Sequence, residues 1–272
     1  MTPASDWTDV AHGWDLHRDR VERMKAALTA ELLSGLALQP GEHVLELGAG
    51  TGELAQVLAD AVAPGGRVLA TDIAAGMVKL ISRKAADRPD ITAQEADASA
   101  TGLDAASFDA VVFRMGLMFV PEPVEALREC RRLLRTGGRA AVAVWSGPGQ
   151  NPWLTSVGMS AMMQGLVQGG GPPTGPGGIF SLGEPDQLSE LAREAGFTDI
   201  QVRRIPIVAH YDSADEHYRT VASLAGPLRH ALITATPDQQ AAVRASAASL
   251  IEPYKVGDAY SIPGEALLLQ AR

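Results

Sequence analysis

Glu46, Gly48, Gly50 and Gly52, with Asp72 twenty residues further on, are the densest group of chemically suggestive residues in this chain. They stand in His43-Val44-Leu45-Glu46-Leu47-Gly48-Ala49-Gly50-Thr51-Gly52, which reads as a buried strand, an acid near its carboxyl end and a glycine turn opening a helix. Glycine lets the backbone bend tightly enough for a ligand to lie against bare peptide N–H groups. Asp72 closes a second apolar run, Arg67-Val68-Leu69-Ala70-Thr71-Asp72. An acid there accepts hydrogen bonds from ribose hydroxyls, so the pair suits a nucleoside. The glycines run Gly48-x-Gly50-x-Gly52 rather than G-x-G-x-x-G, and Glu46 stands at the mouth of the turn. A carboxylate in that place repels a pyrophosphate and favours a ligand bearing an ammonium and a sulfonium.

Val44 to Gly52 resembles motif I of the class I S-adenosylmethionine-dependent methyltransferases. Four further stretches follow in that family's order: Thr71-Asp72-Ile73-Ala74-Ala75-Gly76-Met77, Glu95-Ala96-Asp97-Ala98, Ser107-Phe108-Asp109-Ala110-Val111-Val112 and Leu133-Leu134-Arg135-Thr136-Gly137-Gly138-Arg139. The nearest subgroup is the ubiquinone/menaquinone-type small-molecule methyltransferases, and the likeness covers residues 10 to 146, about half the chain. The resemblance implies S-adenosyl-L-methionine as cofactor. Gly48, Ala49 and Gly50 would lie against it, Glu46 would serve its methionine moiety, and Asp72 its ribose. Ile73 and Met77 would flank the adenine, Asp97 and Ala98 would hold its amino group, and the Arg114 carbonyl and Met115 would border the methionine chain. Relatives use the segment before the first helix as a lid with an aromatic over that chain, and Trp14 fits the role.

Each residue also has a plain structural reading. Asp72 can cap a helix, Asp97 can be a loop acid, and Trp14 can be surface packing. His12 is the catalytic candidate, since histidine titrates near neutrality and can take a proton from an acceptor hydroxyl. His210, Tyr211, His217 and Tyr218 are further candidates of the same kind. Many relatives carry a small or polar residue and a histidine after the fourth strand. Phe113-Arg114-Met115-Gly116-Leu117-Met118-Phe119 has neither, so that loop offers no base. Transfer from an activated methyl donor mainly requires holding nucleophile and methyl in line and excluding water. An Asn-Pro-Pro-Tyr motif is absent, so oxygen or carbon of a small, partly apolar molecule is the expected acceptor. Two alternatives compete: a fold of this type repurposed as a non-methylating binder or rearrangement catalyst, and, more remotely, an NAD-dependent dehydrogenase.

Length and composition agree with a soluble α/β protein: 272 residues, 46% hydrophobic and 20% charged. A net charge of −9 with no long basic run argues against nucleic acid. The single cysteine, Cys130, excludes an internal disulfide and a multi-cysteine metal site, and no metal is expected. The polar N-terminus and the lack of a long uncharged apolar run predict a cytoplasmic protein with no membrane partner. A homodimer is the assembly considered.

Strands are expected at 43–47, 67–72, 91–96, 108–114 and 139–145, alternating with helical patterns, then at 200–209 and 266–269. The fold class is therefore α/β: a doubly wound, seven-stranded, mostly parallel sheet with helical substrate-cap insertions. The expected division is N-terminal lid helices over 1–40, a cofactor-binding core over 41–146, and a remainder over 147–272. By the resemblance, cap insertions occupy about 147–180 and 212–258. A first helix is expected over 18–37, and the glycine- and proline-rich run 169–178 reads as a mobile loop.

Overall fold

The near-continuous apolar runs become strands buried on both faces, as a parallel sheet between helical layers requires. The computed structural model describes residues 3–167, 173–224 and 226–272. Its strands are β1 (His43–Leu47), β2 (Arg67–Asp72), β3 (Ile91–Glu95), β4 (Phe108–Arg114), β5 (Leu134–Trp145), β6 (Gln201–Tyr211), β7 (Lys255–Val256) and β8 (Ala259–Ala271). They form one sheet in the order β3-β2-β1-β4-β5-β8-β6, with β7 paired onto β8. The pairs among β1 to β5 are parallel, and β8 runs antiparallel between β5 and β6. Among the described residues the sheet thus has eight strands rather than seven. The extra one is a two-residue hairpin arm, with Lys255 opposite Tyr260.

Helices α3 (Glu53–Ala61), α4 (Ala75–Lys84), α5 (Pro123–Leu133) and α7 (Pro185–Glu194) follow strands or loops and cover the sheet faces. Leu54, Leu58, Ile81, Leu127 and Leu188 from these helices meet Val44, Leu45, Val111 and Val142 of the strands in one buried cluster. The helix expected over 18–37 is two helices, α1 (Pro3–Met24) and α2 (Ala26–Leu36), broken at Lys25. The segment 212–258 resolves into α8 (Ala214–Leu224), α9 (Gly226–Thr234), α10 (Pro237–Ile251), a 3-10 turn and β7. With α6 (Pro152–Met163) these helices stand beyond the carboxyl end of β5, and Ser160 of α6 bonds Ser246 of α10 at 3.0 Å. Part of the run expected to be mobile, 169–172, lies outside the described residues. Its remainder makes tight turns, including Gly178 N–H to the Gly175 carbonyl at 2.9 Å.

The topology sets where a ligand can lie. Neighbouring β1, β2 and β4 end together, and in open α/β sheets ligands bind outside such carboxyl ends. Asp109, at the opposite end of β4, accepts the His43 N–H at 2.8 Å and pairs with Arg135 at 2.6 Å, a structural duty. Cys130 is buried, and burial pushes its thiol up to about 12, so it is inert. No helix among the described residues is long and apolar enough to cross a membrane.

Candidate active site

The glycine turn connects β1 to α3 with Gly48 and Gly50 both at φ 58° and Gly52 at φ 87°. Side chains rarely adopt these angles, which explains the residue type. At Gly50 nothing stands within 4 Å of where a Cβ would be, so the turn opens onto free space. Ala49 is buried and its N–H bonds the Thr71 carbonyl at 2.9 Å, which fixes the turn to β2.

Asp72 lies across from it at the end of β2. One carboxyl oxygen accepts the Gly50 N–H and the other accepts the Ala74 N–H, each at 2.9 Å. Burial pushes its carboxyl above the usual range, while the two N–H donors act in the opposite sense. Each oxygen retains acceptor capacity for a hydroxyl. The capping alternative is thus partly real: Asp72 bonds the N-cap residue Ala74 and braces the glycine turn at once.

Glu46 is 2% exposed and its Oε2 has no hydrogen-bond partner. Burial raises its carboxyl to about 8, against the pull of the nearby Arg114. A buried, unpaired carboxyl beside an open glycine turn fits a ligand ammonium, and Asp72 at 2.9 Å from that turn fits ribose hydroxyls.

Comparison with known proteins agrees with this geometry. The family model described as a methyltransferase domain matches residues 45–142. The demethylmenaquinone methyltransferase of Renibacterium salmoninarum is 32% identical over 74% of this chain and 86% of its own. The chain belongs to the class I S-adenosylmethionine-dependent methyltransferases, near the ubiquinone/menaquinone type. Among solved structures, the [4+2]-cyclase SpnF is similar at a TM-score of 0.56 and 19% identity, over 97% of this chain and 95% of that one. A phosphoethanolamine N-methyltransferase 2 from Haemonchus contortus has a TM-score of 0.56 and 16% identity, over 90% of this chain and 52% of that one. Both likenesses concern the fold. This methyltransferase acts on a small molecule, and the dehydrogenase alternative is set aside.

In the methyltransferase, Met77 is buried with Ala74 and Ala11 in a small cluster of its own, against which Trp7, Trp14 and Leu80 pack. Ile73 is half-buried. Helix α1 therefore reaches the face expected to hold the adenine. Trp14 also donates its indole N–H to the Leu224 carbonyl of α8 at 3.1 Å, and Trp7 stacks edge-on against Phe119 with ring centres 4.8 Å apart. Asp97 is exposed and one of its oxygens accepts the Ser99 N–H at 2.8 Å and hydroxyl at 2.6 Å, an Asx turn that carries half-buried Ala98. Met115 holds a left-handed φ of 64° and bonds the Ala143 carbonyl at 2.8 Å. His12 is exposed on α1.

Sequence reasoning missed the side chain of Arg114. Its guanidinium donates to both oxygens of Glu22 and to the Thr29 hydroxyl, each at 2.8 Å. Lys25 Nζ stands 2.8 Å from the same Glu22 carboxylate. A second ionic tie joins Asp15 of α1 to Lys84 of α4 at 2.9 Å, and Lys84 also donates to the Thr51 carbonyl at 2.9 Å. No short-range pattern announces pairs so far apart in the chain. On α8, His217 is buried, with Nε2 2.6 Å from the Trp153 carbonyl, which can only accept. Burial lowers its pKa, and its Nδ1 has no partner.

Proposed function

We propose that the enzyme binds S-adenosyl-L-methionine at the carboxyl ends of β1 and β2 and passes its methyl group to oxygen or carbon of a small, partly apolar acceptor. The observation that carries this reading is the unpaired Glu46 oxygen beside the open Gly50 turn. When bound, the cofactor supplies an already activated sulfonium methyl. The chain's task is to bind, orient and exclude water. Gly48, Ala49 and Gly50 line the turn, Glu46 receives the ammonium, and Asp72 the ribose hydroxyls. Ile73, Met77, Asp97 and Ala98 hold the adenine, and the Arg114 carbonyl and Met115 border the methionine chain. Trp14 on α1 covers the site.

The segments at about 147–180 and 212–258 form the acceptor cap over the 41–146 core, and 1–40 forms the lid. The apolar inner faces of α6 and α8, with Trp153, Val157, Val221 and Leu224 buried, support a partly apolar acceptor. The name of the Renibacterium relative supports a quinone as one such molecule. His12 is the proton acceptor to test where the nucleophile is a hydroxyl. The charge of −9 supports an acceptor that is not nucleic acid. A cytoplasmic homodimer completes the proposal, to be checked by sedimentation of the purified chain. Isothermal titration with S-adenosylmethionine and S-adenosylhomocysteine tests the core of the reading. Saturable binding of both is expected, and absence of heat with either refutes it.

A further inference from the structure

Helix α6 meets α8 with mostly small side chains: besides Trp153, its buried residues are Ser156, Val157, Ser160 and Ala161. Two contacts tie it to His217 of α8, the Trp153 carbonyl at 2.6 Å and the Ser156 hydroxyl at 3.4 Å, both on Nε2. A carbonyl only accepts, so Nε2 carries the proton and Nδ1 presents a bare lone pair. Burial favours the neutral ring.

That lone pair has no partner among the described residues, although His217 is wholly buried. The same holds for the Thr220 hydroxyl, on a residue that is 1% exposed. Residues three apart on a helix share one face, with Cβ atoms about 5–6 Å apart. An acceptor and a donor therefore stand close together in the seam, each at the cost of an unmade hydrogen bond. One hydroxyl set between them satisfies both, its proton going to Nδ1 and its oxygen accepting from Thr220.

The surroundings favour a flat, apolar body for the molecule that carries this hydroxyl. Tyr211 meets the His217 ring edge-on with centres 5.0 Å apart, and Trp153 meets Trp145, at the carboxyl end of β5, at 5.2 Å. Printed contacts also join the seam to the proposed cofactor site. Leu224, two turns along α8 from His217, accepts the Trp14 indole N–H, and Trp14 packs on the cluster of Met77 and Ala74. Seven residues of helix span about 10 Å, close to the length of a two-ring aromatic.

We propose that the methyl acceptor is an aromatic molecule bearing a hydroxyl, and that His217 and Thr220 recognise this hydroxyl between α6 and α8. The inference rests on the reading of these helices as the acceptor cap. The role is recognition: the hydroxyl is held at the far end of the acceptor, while the atom that receives the methyl group lies toward Trp14.

Titration of β-naphthol and of its methyl ether into the full chain tests this, with the imidazole nitrogen resonances followed by NMR. Only the naphthol can donate a proton to Nδ1. The wild type binds it about 10-fold more tightly than the ether, and the naphthol alone moves the His217 Nδ1 resonance to lower frequency. His217→Phe keeps a ring in the seam and abolishes the preference, and Thr220→Val lowers it about threefold. Equal wild-type affinity for the two probes, or an Nδ1 resonance that the naphthol leaves in place, overturns the proposal before any variant is made. So does failure of both probes to bind. S-adenosylhomocysteine titrated into the same sample separates the readings, because saturable binding there leaves the cofactor site standing when the acceptor proposal falls.

Discussion

Glu22 and Arg114 are 92 positions apart, yet their side chains meet in a two-pronged ion pair with both contacts at 2.8 Å. The pair fastens α1, the proposed lid, to the carboxyl end of β4, where the methyl donor is proposed to lie. Burial opposes ionisation of Glu22, but Lys25 and Arg114 outweigh it and hold its carboxyl down to about 2.

The folded pKa lies below the ordinary value, so the stabilisation is present above pH 4.5 and lost as pH falls toward 2. Glu22→Gln leaves Arg114 and Lys25 without their anion, and about 3 kcal/mol of stability is expected to go at pH 7. Urea unfolding of both chains at pH 7 and pH 3 checks this, because the difference between them shrinks at the lower pH.

Glu46 has the opposite sign. Its carboxyl is raised to about 8, chiefly by burial, so it is protonated in the free chain at neutral pH. A ligand ammonium needs it ionised. Affinity for S-adenosylhomocysteine is therefore expected to rise with pH, approaching tenfold per unit between about 6 and 8. The rise levels off above about 8, where Glu46 is already ionised. Arg114, Glu22 and Glu53 also face Glu46. Glu46→Gln gives a flat profile below pH 8 in the same titration.

Asp72→Asn replaces one of two acceptors that brace Gly50 and Ala74 at 2.9 Å. A loss of about 1 kcal/mol in stability is expected, and about a 10-fold or greater loss in affinity for the nucleoside. Adenine alone, which has no ribose, should bind the two chains within about threefold, and competitive titration separates the cases.

Helix α1 meets α8 at Gly13, where a Cβ would stand 2.5 Å from the Ser223 carbonyl oxygen. Gly13→Ala forces the helices apart and is expected to destabilise the protein by about 1–3 kcal/mol. Limited proteolysis should then cut α1 earlier than in the wild type, while Gly50, distant in the chain, keeps its open turn.

Much of the core was legible because β1, β2, β4 and β5 each combine an apolar run with a nearby glycine. The glycine turn and Asp72 were legible for the same local reason. β8 was read only at 266–269, since Pro263 and Gly264 make its first half look like a loop, although that half pairs with β6 through Tyr260 and Ile262. The segment 212–258 looked uniformly helical; Gly226 opens a new helix, and Pro237 starts another behind a Thr236–Gln239 capping box. Arg114, Glu22 and Lys25 were out of reach because their meaning is a three-dimensional charge cluster. Each alone is an ordinary residue at a strand or helix end.

A crystal structure of the chain with S-adenosylhomocysteine is the most direct test. The ligand's amino nitrogen is expected within hydrogen-bond distance of Glu46 Oε2, with the ribose hydroxyls on Asp72 and its sulfur under α1. A ligand whose amino acid end turns away from Glu46, or one bound outside the β1–β2 turn, would contradict the account.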